Sequence, residues 1–143
     1  MQRSKKIAAV MALGLLSSAA GGDESAKTVW DGVYTQAQVE RGSKILNDQC
    51  VNCHGANLTG GPGLPGVVGP AFMFNWNNKP VRELFDLIRT TMPPGQAGSL
   101  SDQGYADVVA ALLQANGFPA GTSEELAATP EVLGAITFKK DKP

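Results

Sequence analysis

An all-α fold of three to five helices joined by long glycine- and proline-rich loops is predicted by three features of the sequence. Apolar residues recur at helical spacing in three separate stretches. Residues 57–70 hold five glycines and three prolines, which rules out regular structure there. No stretch alternates apolar and polar residues as a half-buried strand would.

The chain has 143 residues, enough for one domain with a modest core. Residues 1–22 begin with Arg3, Lys5 and Lys6, continue with an apolar run from Ile7 to Leu16, and end in small residues. That is the layout of an export signal, with cleavage expected after Ala20, so residues 1–20 are read as a signal peptide and the protein as periplasmic. The apolar run is shorter than the roughly 20 residues a membrane helix needs, and an uncleaved anchor is the only route to a membrane. Three of the twelve basic side chains lie in this segment, against thirteen acidic ones in the whole chain. The remainder is acidic and has no basic stripe for nucleic acid.

Residues 21–33 read as a polar lead-in. A first helix is expected in "YTQAQVERGSKILNDQC", capped by Thr35 with Gln38 at the capping-box spacing, and with Tyr34 and Val39 placed as a hydrophobic staple. Gly42 falls on its apolar face, at a cost of about 1 kcal/mol against alanine, which close approach of another helix would offset. The loop that follows contains Gly61-x-Gly63-x-x-Gly66, formally a dinucleotide fingerprint. That match is rejected, because no strand precedes it and Pro62 and Pro65 break its turn. Asn57-Leu58-Thr59 is an equally cheap match to a glycosylation sequon. A helix is expected in "KPVRELFDLIRTTMPPG", with Pro80 in its first turn and Pro93-Pro94 ending it. A further helix in "SLSDQGYADVVAALLQANG" is capped by Ser101 or Asp102 and ended by Gly117. Residues 34–121 form the expected domain, and residues 122–143 a tail with one short helical segment.

Residues 50–54 read "CVNCH" and hold both cysteines and the single histidine of the chain. A disulfide would close a very small loop, constrain little, and leave His54 unexplained. A thioredoxin-like pair needs a βαβ setting that is missing here. Zinc would find three ligands, with no further Cys or His to complete a closed site. Cys-x-x-Cys-His as the haem c attachment motif uses all three side chains: each thiol forms a thioether with one vinyl group, and His54 turns a ring nitrogen to the iron. For the other axial face, the chain past the signal offers sulfur from Met73 and Met92 only. Met92, before two prolines that keep its loop extended, is the preferred ligand. Met73, among aromatics, reads as core or pocket wall.

With these motifs the chain resembles the small monohaem class I cytochromes c. More narrowly, it is similar to the cytochrome c modules that accompany quinoprotein (pyrroloquinoline quinone) dehydrogenases. The resemblance runs from Val29 to Gly121 through "VWDGVYTQAQVERG", "CVNCHGANLTGG", "GPAF", "LFDLIRTTMPPG" and "SLSDQGYADVVAALLQANGFPAG". It implies a class I cytochrome c fold wrapped around one covalent haem c, and an electron carrier with no catalytic residues. The implied partners are redox proteins, a dehydrogenase as donor and a cytochrome or oxidase as acceptor. It further implies that Gly42 packs where the first and last helices cross, against the apolar face of Tyr105, Val108, Val109 and Leu112. Pro70 would offer its carbonyl to the second ring nitrogen of His54, and Trp76 would donate to a haem propionate. Arg89 reads as a solvated helix-face arginine. The rival readings are a subunit docked permanently on a dehydrogenase and a gas-binding or sensory haem protein with an open sixth site.

Overall fold

A computed structural model describes residues 26–143, so the expected export signal lies outside the described residues. The architecture is six α-helices and one parallel pair of two-residue strands. Among the described residues no helix is long and apolar enough to cross a membrane.

Chain entry is fixed by a turn in which the Asp31 carboxylate accepts from the Thr28 amide at 2.7 Å and its hydroxyl at 2.9 Å. This turn follows strand β1 (Lys27–Thr28). Helix α1 (Gln36–Gln49) then starts on the expected capping box: Thr35 accepts from the Gln38 amide and Gln38 reaches back to the Thr35 amide. Tyr34 and Val39 are both buried beside it. The Tyr34 hydroxyl donates to the Phe118 carbonyl, and burial pushes its pKa up to about 12. Helix α2 (Val51–His54) continues from α1 across a kink at Cys50, and α3 (Pro70–Trp76) begins on a proline at its first position.

Helix α4 (Val81–Thr91) presents Val81, Leu84 and Phe85 to the core and ends at Met92. Helix α5 (Asp102–Ala115) starts on Ser101, whose hydroxyl accepts from the Gly104 amide. It is buried without interruption from Tyr105 to Leu113 and is the central element, packed on α1 and α4. Its crossing with α1 is set by Gly42, where a Cβ would stand 1.9 Å from the Asp107 carbonyl oxygen and 3.0 Å from the Ala111 methyl. The two helices therefore cross at Gly42 as expected, but against Asp107 and Ala111 and not on the face of α5 that carries Tyr105, which turns to Phe85 of α4.

Two expectations are corrected. The helix count exceeds three to five because the kink at Cys50 splits off α2 and because "PAFMFNW", where no helix was expected, forms α3. With seven residues, α3 is too short to declare a period in sequence. The lead-in and tail are also part of the core. Helix α6 (Pro130–Ala135), the short segment expected in the tail, leads into strand β2 (Ile136–Thr137), which pairs with β1 in the register Lys27 with Ile136. Val29, Leu126, Leu133, Ile136 and Phe138 are buried in one cluster with Tyr105 and Leu113. Buried Gln38 pins the tail from within: its amide donates to the Leu126 carbonyl at 3.1 Å and its oxygen accepts from the Leu126 amide at 2.6 Å.

Candidate haem site

Cys50 caps α1 and Cys53 and His54 end α2, so all three side chains sit on one helical turn. Residues three apart on a helix face the same way, which sets both sulfurs along one side. Cys50 is half-buried, Cys53 is exposed, and neither is in a disulfide. Burial, with Cys53 adding to it, pushes the Cys50 thiol pKa up, which favours a neutral thiol over a thiolate. Among the described residues no group of three His, Cys, Asp or Glu side chains converges as a metal-ligand cluster. The two sulfurs and the imidazole fall on one turn, the spacing with which a chain can hold one edge of a haem.

His54 is held from behind. Its Nδ1 lies 2.8 Å from the Pro65 carbonyl, which can only accept, so Nδ1 carries the proton and the Nε2 lone pair is left free. The expectation for Pro70 is corrected here. Pro70 is the first residue of α3, with its carbonyl at the start of that helix, and Pro65 supplies the contact from the glycine loop. That loop is closed on itself by the Gly60 amide to the His54 carbonyl at 2.8 Å and the Val67 amide to the Leu58 carbonyl at 2.8 Å. Gly66 is needed at the closure, since a Cβ there would meet the Thr59 carbonyl oxygen at 2.6 Å.

The surroundings of the cysteines are apolar and incompletely covered by the chain. Cys50 packs with Ile45, Leu58, Val67, Ile88 and Leu100, all partly exposed, against the buried cluster of Leu46, Val108, Ala111 and Leu112. Apolar side chains left partly open around Cys50 in this way fit a flat apolar group such as a porphyrin. A concavity of about 710 Å³ lies elsewhere, between Lys27, Asp31, Gly121, Glu124 and Glu131. A second, about 320 Å³, touches the cysteine segment at Val51 and is walled by Leu46, Leu58 and Ala111.

Met92 is half-buried at the end of α4, where its carbonyl accepts from the Tyr105 hydroxyl at 3.4 Å. Met73 packs against the larger core cluster, as its aromatic neighbourhood suggested. Trp76 lies in an aromatic group with Phe72 and Phe138, and the Lys79 ammonium stands 5.3 Å from its ring centre. Arg89 donates to Asp102 at 2.8 Å on the surface. Two residues of this region escaped the sequence reading. Pro65 was one proline among several in the loop. Asn116, which ties that loop to α5, follows a helix end and carries no motif.

Residues 37–110, just over half of the chain, match the family model described as cytochrome c oxidase, cbb3-type, subunit III. No curated protein and no solved structure matches the chain. A cytochrome c domain binds haem c covalently and transfers electrons to and from redox proteins, and it is not itself a catalytic unit. The matched segment runs from α1 to α5 and contains the Cys50-Val51-Asn52-Cys53-His54 turn, and the chain belongs to this cytochrome c family.

Proposed function

We propose that this protein is a periplasmic electron carrier with a single haem c, attached through Cys50 and Cys53, with His54 and Met92 as axial ligands. The observation that carries the reading is the His54–Pro65 contact. With Nδ1–H donated to a carbonyl 2.8 Å away, Nε2 presents its lone pair in a fixed direction, as a metal-ligating imidazole must.

When bound, the haem supplies one-electron exchange at its iron. The chain's part is to hold the group in place and set its potential. Cys50 and Cys53 fix one edge. Met92, on a loop stiffened by Pro93 and Pro94 and steadied by Tyr105, offers a thioether, which favours ferrous iron more than a second imidazole would. Trp76 would donate its indole N–H to a haem propionate, and the partly exposed Ile88, Val67 and Leu100 beside Cys50 would keep water from the haem. With His54 and Met92 both as ligands, no position on the iron would be left for a substrate or a gas.

A quinoprotein dehydrogenase as donor and a cytochrome or oxidase as acceptor are supported by the sequence phrases that resemble dehydrogenase-associated modules. Such encounters need only a small contact near the haem edge. Export is supported by the layout of residues 1–20. A second reading is favoured by the matched family's own description, which is that of an oxidase subunit: the domain would then be docked permanently on a larger complex. Protein purified from a host that attaches haem c should keep its reduced haem bands in denaturant and after acid–acetone extraction. It should also exchange electrons rapidly when alone. Bands lost on extraction contradict the attachment, and co-purification with a large complex with slow exchange when isolated supports the docked subunit.

A further inference from the structure

Asn116 closes α5, and its side chain reaches into the glycine loop. Its Oδ1 accepts from the Gly69 amide at 2.9 Å, and its Nδ2 donates to the Val67 carbonyl at 3.1 Å and the Leu112 carbonyl at 2.8 Å. Capping the helix needs only the bond to Leu112. The bonds to Val67 and Gly69 do something else: they fasten the limb 65–69 to the central helix. Apart from His54, Asn116 is the one side chain among the described residues that hydrogen-bonds to this limb. From the other side the limb is held by backbone alone, through the Val67 amide to Leu58 and the close seating of Gly66 on Thr59.

We infer that Asn116 is a positioning residue for the axial histidine. It holds Val67 and Gly69, and these hold Pro65, whose carbonyl takes the His54 Nδ1 proton. The inference rests on the reading of His54 as an iron ligand. A hydrogen bond from the second ring nitrogen raises the basicity of the first, and such partners change metal-site properties by about 10–100-fold when removed. A more basic ligand favours ferric iron. Loosening the limb weakens the bond, makes Nε2 a poorer donor, and shifts the balance toward ferrous iron.

The test uses the haem-loaded protein and compares wild type, Asn116→Ala and Gly117→Ala. Gly117 has φ +86°, so alanine strains the same helix end with nothing on the loop for its Cβ to touch. Asn116→Ala is expected to speed amide exchange at Gly69 by about tenfold or more. It should also speed exchange of the His54 ring N–H and raise the ferrous-to-ferric ratio at fixed ambient potential by about three- to tenfold, the upper figure being ~59 mV for one electron. Gly117→Ala should lose stability and leave the potential unmoved. Asn116→Asp keeps the acceptor for Gly69 and loses both donated bonds; should the alanine variant not fold, it should still speed the ring N–H exchange. An unchanged potential and ring N–H in the Asn116 variants, or an equal shift in Gly117→Ala, overturns the inference. Absence of hyperfine-shifted His54 resonances in the wild type overturns the ligation itself, and that result is read before any variant is compared.

Discussion

Gly42 and Asp107 meet backbone to backbone: a Cβ on Gly42 would stand 1.9 Å from the Asp107 carbonyl oxygen and 2.4 Å from its carbon. Neither backbone can give way without moving a whole helix. Gly42→Ala should therefore destabilise the protein by about 2–3 kcal/mol, the upper part of the overpacking range, despite the gain of about 1 kcal/mol in helix propensity. Denaturant midpoints of the two proteins measure this. A variant as stable as wild type would mean that α1 and α5 do not cross at this point.

Asp107 also joins the two helices through its side chain. Burial alone would raise its pKa, but hydrogen bonds from Arg41, Gln103 and Gln38 outweigh that and hold it below the ordinary carboxylate value. Because the folded pKa is the lower one, the stabilisation is complete above the ordinary carboxylate range and is lost as pH falls through the depressed value. Asp107→Asn should cost about 1–2 kcal/mol at neutral pH, since Arg41 keeps Glu125 and solvent as partners. The difference between variant and wild type should shrink as pH drops below about 4. A difference that is constant from neutral to acid pH would show that the ionised carboxylate contributes nothing.

Phe138 tests whether the C-terminal segment belongs to the core. It is fully buried and packs edge-on against Phe72 and Phe118, and its backbone pairs with residues 78 and 79. Phe138→Ala should cost about 3–5 kcal/mol, the usual figure for an emptied aromatic site. A loss below about 1 kcal/mol, the size expected of surface changes, would return residues 122–143 to the status of a tail.

The parts of this fold legible in the sequence are those whose signals are local. Thr35 and Gln38 announce their capping box by spacing, Ser101 its cap, and Cys50, Cys53 and His54 their chemistry by rarity and adjacency. Hidden were relationships between residues far apart in the chain. Strand β1 pairs with β2 across more than a hundred residues, and two residues each are too few to show alternation. Gln38 reads as a surface residue of a helix, yet it is buried because the Leu126 backbone closes over it. At the site, the histidine partner was expected from a proline and came from a proline, but Pro65 and Pro70 could be told apart only by the path of a loop with five glycines. Asn116 had no signal at all, since its role depends on where that loop passes.

The most direct test of the account is the absorption spectrum of the haem-loaded protein, oxidised and reduced, with and without Met92→Ala. The wild type should show sharp reduced haem bands and, when oxidised, a weak long-wavelength sulfur-to-iron band that disappears in the variant. That variant should also bind carbon monoxide when reduced, and its potential should fall as the thioether is lost. If the sulfur band is absent from the wild type and carbon monoxide binds it readily, the sixth position is open, and the assignment as an electron carrier with His54 and Met92 as ligands is contradicted.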